Sequence, residues 1–198
     1  MIVTWIGKQL LTICMQMNLN EAIQYYPSII DPKKCNILSH YAELVAKERG
    51  PVFEPNNTEA RKVFAYNLSQ ENVQDNLYRD WVKSYITEIL SKYMKKFKFL
   101  TVENANLTTQ LLRYPVGNYY KTHTDFHKEQ PRVMSFILNL NSDYIGGQLY
   151  FTDQNEKLST FFALGTGDIV CFPSNYLYPH GIMPITKGTR YSIVAWII

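Results

Sequence analysis

Cysteine is scarce in this chain of 198 residues, and its occurrences make no pattern. Cys14, Cys35 and Cys171 are odd in number, widely spaced and without a CxxC pair. That excludes an evident disulfide framework or cysteine zinc site, and it fits buried or incidental thiols in a reducing compartment. An excess of one charge is also lacking. Lys and Arg number 20 against 17 Asp and Glu, a net of +3. Basic runs such as Lys95-Lys96 are short and fall on a predicted helix, where a solvated face accounts for them. The electrostatic footprint of a nucleic-acid partner is therefore missing. No apolar stretch is long enough to span a bilayer. The first 17 residues are fairly apolar, but Lys8 and Gln9 interrupt them, no basic residue precedes them and no small-residue cleavage site follows. This disfavours a signal peptide and predicts a cytoplasmic protein with no membrane partner. Internal repeats and low-complexity segments are absent as well.

What the chain does have is a change of character near residue 105. Before it, helical signals dominate. Asp31-Pro32 is a helix start, with Asp as cap and Pro at the first helical position. Ile37, Tyr41, Leu44 and Val45 follow at helical spacing until Arg49-Gly50-Pro51 stops the run. Glu54 to Thr58 reads as a loop. A second helix is predicted from near Ser69 or Asn72, with Leu77, Trp81, Tyr85, Ile89 and Tyr93 as its buried stripe.

After residue 105 the segments are short, β-branched or aromatic, and separated by turn signals. Strands are predicted at 108–114, 119–125, 132–140, 147–152, 159–163, 168–172, 180–184 and 189–197. Gly117-Asn118, Gly146-Gly147, Gly165-Thr166-Gly167 and Lys187-Gly188 punctuate them. Strands in succession with no helices between them argue for a sandwich or jelly roll rather than a parallel sheet. The expectation is one α+β domain over 1–198: a helical support over about 1–104 and a β core over 105–198.

The informative cluster is His123-Thr124-Asp125, with His180 far downstream and Arg190 ten residues after that. Alternate side chains of a strand share a face, so His123 and Asp125 point the same way. Two imidazoles and one carboxylate suit iron(II) and leave coordination positions open. His180 suits the third position because Phe172-Pro173 ends one strand and Pro179-His180-Gly181 opens another. His127 is the rival, but three ligands along one extended strand would be spread too far for one small ion. Arg190 alternates with Ser192, Val194 and Trp196 on one face, and a guanidinium on an inward face is costly unless paired. An incoming carboxylate is a natural partner for its bidentate fork. An edge-strand surface position is the competing account of Arg190.

The words around these residues resemble a known family. Tyr114-Pro115-Val116-Gly117-Asn118-Tyr119-Tyr120-Lys121-Thr122-His123-Thr124-Asp125 is similar to the YxxGxxYxxHxD segment of prolyl 4-hydroxylase-like 2-oxoglutarate/iron(II) dioxygenases. Gly146-Gly147-Gln148-Leu149 resembles their GGxL turn and strand, and Gly167-Asp168-Ile169-Val170-Cys171-Phe172-Pro173 the strand before the distal histidine. His180-Gly181-Ile182-Met183-Pro184-Ile185-Thr186-Lys187-Gly188-Thr189-Arg190-Tyr191-Ser192 resembles HxVxPVxxGxRYS. The resemblance covers about residues 108–198.

It implies a double-stranded β-helix (jelly-roll) core and an oxygenase using Fe(II), 2-oxoglutarate and O₂, with ascorbate as reductant. His123, Asp125 and His180 would hold iron. Arg190 would pair with the distal carboxylate of 2-oxoglutarate, Tyr114 would donate a hydrogen bond to it, Ser192 would add a hydroxyl near the clamp, and Trp196 would line the pocket. Tyr120 would pack near the site. The family's Tyr-Leu-Asn is Asn139-Leu140-Asn141 here, so one aromatic hydroxyl is absent. Arg rather than Lys at position 190 is closer to sensor-type and bacterial or viral relatives than to collagen-type enzymes.

The reaction implied is decarboxylation of 2-oxoglutarate to succinate and CO₂, coupled to hydroxylation of a C–H bond. The resemblance favours a prolyl residue in a protein or peptide, held by a rim over 50–60, 126–131 and 173–179. A free amino acid or small molecule is an alternative substrate, and a catalytically silent metal-binding or interaction module an alternative function. A nucleic-acid demethylase of the superfamily carries a second Arg six residues after the clamp, where this chain has Trp196. Nothing in the sequence fixes the oligomeric state.

Overall fold

The computed structural model describes residues 3–6, 9–12, 19–50, 59–98, 100, 102, 106–126, 128–129 and 131–198. Cys14, His127 and the Glu54–Thr58 segment lie outside the described residues. The N-terminal half carries β1 (Val3–Ile6), β2 (Gln9–Thr12), β3 (Gln24–Tyr26), α1 (Pro32–Val45), β4 (Arg61–Lys62), β5 (Phe64–Asn67) and α2 (Val73–Lys96). The C-terminal half is all strand. Its elements are β6 (Leu107–Tyr114), β7 (Tyr119–His123), β8 (Met134–Asn139), β9 (Ile145–Gly146), β10 (Leu149–Thr152), β11 (Leu158–Phe162), β12 (Ile169–Pro173), β13 (His180–Ile182), β14 (Ile185–Lys187) and β15 (Arg190–Ile197).

The helices start where capping chemistry dictates. Asp31 accepts a 2.7 Å hydrogen bond from the Lys33 backbone, with Pro32 opening α1. Asn72, not Ser69, caps α2 by accepting from the Gln74 and Asp75 amides. The buried stripes differ from the predicted ones. In α1 Cys35, Leu38 and Ala42 are buried while Ile37 and Leu44 are exposed, and the helix ends at Val45. In α2 the buried row is Asp75, Tyr78, Val82, Ile86, Ile89 and Tyr93; Leu77 is exposed, and Trp81 and Tyr85 are half-buried. A strict four-residue row overshoots a full turn by about 40° per step, so a straight interface must alternate steps of three and four.

Two antiparallel sheets follow. The larger has the order β3-β12-β8-β15-β6-β5, the smaller β11-β10-β13-β7-β4. β1 pairs with β2, and β9 with β14. Period-two alternation sorts the side chains of the six-stranded sheet into two cores. Leu111, Phe136, Leu138, Ile193 and Ala195 pack against Leu38, Ala42, Val82, Ile86 and Ile89 of the helices. Leu112, Ile137, Val170, Phe172 and Val194 face the other way, onto Leu149, Phe151 and Ile182 of the five-stranded sheet. The helices thus cover one outer face, as the sequence predicts.

The N-terminal half does more than support. β4 joins the smaller sheet, while β3 and β5 form the two edges of the larger one. Predicted strand 180–184 is shortened to His180–Ile182, and Ile185–Lys187 forms a further, unpredicted strand paired with Ile145–Gly146. At Gly146 the backbone has φ 87° and a Cβ would collide with the Pro184 carbonyl oxygen, so this crossing needs glycine. Among the described residues no helix is long and apolar enough to cross a membrane.

Candidate metal centre and anion pocket

The last residue of β7 and the first of β13 face each other in the ladder, which sets His123 directly opposite His180. The register shifts between His180 and Ile182, a bulge that re-aims the strand at the site. Asp125 departs from expectation. β7 ends at His123, so the carboxylate comes from the loop just beyond the strand. It faces the histidines because other groups hold it. Ser135 Oγ, on β8, donates to Asp125 Oδ2 at 2.6 Å and is itself 2.7 Å from Ser174 Oγ. The Arg132 guanidinium reaches the Asp125 backbone oxygen at 3.4 Å.

His123 Nε2 lies 3.7 Å from Asp125 Oδ1, and His180 Nε2 lies 3.7 Å from Asp125 Oδ2. One ligand atom from each of the three falls within 4.8 Å of the others. Each imidazole donates its Nδ1–H to a carbonyl two residues earlier, Lys121 O at 2.9 Å and Tyr178 O at 3.1 Å. A carbonyl can only accept, so both rings are fixed in the Nδ1–H tautomer with the Nε2 lone pair aimed at the cluster. Burial, and next the adjacent His180, push the His123 pKa well below the usual imidazole value. Burial works against the Asp125 carboxylate, but His180, His123, Ser135 and Trp196 outweigh it and hold its pKa below the ordinary range. His123 and Asp125 are therefore favoured in their deprotonated forms, the forms that bind a metal. Two nitrogens and one oxygen on one side of a point fit a divalent first-row ion such as iron(II).

The same cavity, about 1020 Å³, continues along the inner face of the larger sheet. Arg190, Ser192, Val194 and Trp196 on β15 lie opposite Tyr114, Leu112, Gln110 and Thr108 on β6. Arg190 is fully buried, so the surface account of it is wrong. Its Nη1 donates to Ser192 Oγ at 2.9 Å, while its buried Nε and Nη2 have no hydrogen-bond partner among the described residues. Its guanidinium carbon stands 5.4 Å from the centre of the Tyr114 ring. Buried, unpaired donors on a fixed cation define a carboxylate pocket. Trp196 packs under Arg132, whose guanidinium carbon lies 3.8 Å from the ring centre. Tyr120 stacks on His123 with centroids 3.5 Å apart and planes 12° apart.

At the departure from the family pattern, Asn139 is fully buried and donates to the carbonyls of Asn141, Leu164 and Gly165. It also accepts a 3.2 Å hydrogen bond from the Tyr144 hydroxyl, so its amide is committed to the fold. Sequence reasoning missed Ser135, Arg132, Gln110 and Arg61, all of them beside this cavity or its ligands. Arg61 sits on a strand of two residues, too short to leave a periodic signal. Ser135 could be found only by continuing the inward parity of β15 onto its neighbour β8.

An antiparallel two-sheet fold with a two-histidine, one-carboxylate cluster and a buried arginine in one cavity resembles the sites of non-haem iron oxygenases. Comparison with known proteins narrows it. Residues 109–198 match the family model of the 2OG-Fe(II) oxygenase superfamily. Over 89 residues the chain is 39% identical to a PKHD-type hydroxylase of Idiomarina loihiensis, covering 43% of this chain and 39% of that protein. Over 74 residues it is 40% identical to prolyl 3-hydroxylase 1 of Gallus gallus, covering 35% of this chain and 10% of that protein. The chain thus matches well under two thirds of the length of these relatives. A prolyl hydroxylase from Trichoplax adhaerens, solved with a hypoxia inducible factor peptide, superposes with a TM-score of 0.73 at 14% identity over 89% of this chain and 83% of that one. A prolyl-4-hydroxylase of Pseudomonas putida gives 0.68 at 20% identity over 89% and 91%. The resemblance drawn from the motifs holds over residues 109–198, which are similar to the 2OG-Fe(II) oxygenase superfamily model and to PKHD-type hydroxylases, and the fold is similar to that of prolyl hydroxylases.

Proposed function

We infer that the protein is an Fe(II)- and 2-oxoglutarate-dependent oxygenase that hydroxylates a prolyl residue in a protein or peptide. The observation that carries this is the pairing, in one cavity, of a convergent His123/Asp125/His180 cluster with the buried, partly unpaired Arg190. A silent metal-binding module leaves the cost of burying that guanidinium without a return. The two sheets with the cavity between them correspond to a double-stranded β-helix, the arrangement the prolyl hydroxylase neighbours support.

His123, Asp125 and His180 would hold the iron, and Ser135 would orient the carboxylate. Arg190 would grip the far carboxylate of 2-oxoglutarate, with Ser192 fixing the guanidinium and Tyr114 forming the wall beside it. Bound iron supplies the oxidising chemistry, in which 2-oxoglutarate and O₂ yield succinate, CO₂ and an oxygen for insertion into a C–H bond. The chain itself positions the reactants and limits the access of water. Trp196 and Arg132, stacked together beside Asp125, would form the wall against which the oxidised residue rests. The relatives that bear prolyl hydroxylase names support proline over other residues. The test is a proline-containing peptide library incubated with iron-loaded protein, 2-oxoglutarate and O₂. Gain of one oxygen on proline in step with succinate supports the reading, and oxygen gained only on other residues or on free amino acids overturns the prolyl assignment.

A further inference from the structure

Tyr144 lies in the loop between β8 and β9, immediately before β9, and two glycines fix its course. A Cβ on Gly188 would stand 3.2 Å from Tyr144 Cα and 3.3 Å from its Cβ, so the turn before β15 passes directly against this residue. A Cβ on Gly147 would stand 3.1 Å from Tyr144 Cε2 and also 3.1 Å from Arg190 Cδ. The edge of the phenol ring and the stem of the arginine therefore meet over one glycine.

The far end of the ring reaches the inner face of the larger sheet. The Tyr144 hydroxyl donates to Asn139 Oδ1 at 3.2 Å. Asn139 lies opposite Ser192 in the β8–β15 ladder, and opposite residues of a ladder project on the same face. Ser192 is the residue that takes Arg190 Nη1 at 2.9 Å. Asn139, Ser192 and Arg190 are all buried, whereas Tyr144 is half-buried and stands just behind the residues that line the cavity. A loop side chain thus delivers a hydroxyl to the neighbourhood of the arginine pocket.

The hold on that hydroxyl is weak. Neutral O–H···O bonds are best made at about 2.7–2.8 Å, well short of the 3.2 Å observed. A carboxylate accepts a shorter, charge-assisted bond that is about twice as strong. Asn139 does not depend on the phenol for its place, because its amide nitrogen donates to the carbonyls of Asn141, Leu164 and Gly165. A carboxylate at Arg190 therefore competes well with Asn139 for the phenol proton.

Resting on the oxygenase reading above, we propose that Tyr144 is a further donor of the co-substrate clamp. With the far carboxylate of 2-oxoglutarate at Arg190, the Tyr144 hydroxyl leaves Asn139 and donates to that carboxylate. A loop tyrosine then supplies the aromatic hydroxyl that position 139 lacks, and Asn139 is a positioning residue that keeps the phenol beside the pocket.

The test compares two acids on the full chain loaded with Mn(II): 2-oxoglutarate, and 2-oxopentanoate, which has the same carbon chain without the far carboxylate. Wild type should bind 2-oxoglutarate roughly a hundredfold more tightly. Tyr144→Phe should cut that ratio about tenfold, the worth of one hydrogen bond to a charged group, while 2-oxopentanoate and Mn(II) binding stay unchanged. Tyr144→Leu, which also lacks the hydroxyl, should cut it at least as much. A role in packing alone would weaken both acids equally. A ratio kept in Tyr144→Phe, or an equal weakening of both acids, overturns the Tyr144 assignment and leaves Arg190 untouched. A wild type that binds neither acid, or both alike, contradicts the Arg190 clamp and with it the oxygenase reading, a result separate from the effect of the Tyr144 variants.

Discussion

Arg190 and Tyr114 face each other across the β15–β6 ladder, and the guanidinium carbon of the one stands 5.4 Å from the ring centre of the other. Ser192 takes one of the guanidinium donors, and Nε and Nη2 are left for a ligand. Arg190→Ala should weaken 2-oxoglutarate binding by roughly two orders of magnitude or more, the usual cost of removing one partner of a buried charge pair. Arg190→Lys should recover only part of it, because an ammonium cannot form the bidentate fork. Titration of metal-loaded protein with 2-oxoglutarate checks both, and metal affinity should change little in either variant.

Ser135 touches only the carboxylate of the cluster, through its 2.6 Å hydrogen bond to Asp125 Oδ2. Ser135→Ala should lower metal affinity by about 10–100-fold, the range for losing an outer partner of a metal ligand. Competition against a metal chelator measures it. An unchanged affinity would mean that Arg132 and the fold alone orient Asp125.

Acid should destabilise the metal-free protein. Burial and the neighbouring His180 place the folded pKa of His123 well below its ordinary 6.5. Below that value the unfolded chain binds a proton that the native state refuses. The stabilisation is therefore complete above pH 6.5 and is lost as the pH falls below it. Asp125, whose folded pKa is also depressed, adds a loss of the same sign at lower pH. The melting temperature of metal-free protein should fall between about pH 7.5 and about pH 5, and His123→Ala should flatten that slope. A melting temperature that rose on acidification would contradict the account.

Away from the site, Asp75 tests the helical layer. It is fully buried near the start of α2 and accepts from the Tyr41 hydroxyl at 2.6 Å, the Tyr66 hydroxyl at 2.9 Å and the Ser69 amide at 2.9 Å. Asp75→Asn leaves at least one donor poorly matched and should cost about 1–3 kcal/mol in chemical denaturation. 2-Oxoglutarate affinity per folded molecule should not move, because Asp75 does not line the cavity.

Local pattern carried much of the site. The HxD word, the later histidine and the alternation of Arg190, Ser192, Val194 and Trp196 are properties of short stretches, and the ladders place all of them along one cavity. The exceptions are where tertiary context decides. Asp125 follows the parity of β7 without being in the strand, since Ser135 and Arg132 hold it. The helical stripes were misplaced because evenly spaced apolar residues drift around a helix, whereas the buried row must stay straight against the sheet. Strands β4 and β5 are short and form through pairing with distant segments, β7 and β6 among them, so Arg61 had no local signature. Gln110 lies within a predicted strand, but its bond to Arg61 spans 49 positions that only folding brings together.

The most direct measurement of the central claim is succinate formed from 2-oxoglutarate by the iron-loaded full chain under O₂, without added substrate and then with proline peptides. The account predicts a slow basal release that peptide accelerates. It also predicts that His180→Ala abolishes the release together with metal binding, and that Arg190→Ala suppresses it while metal stays bound. A wild-type protein that binds iron yet forms no succinate under either condition would contradict it.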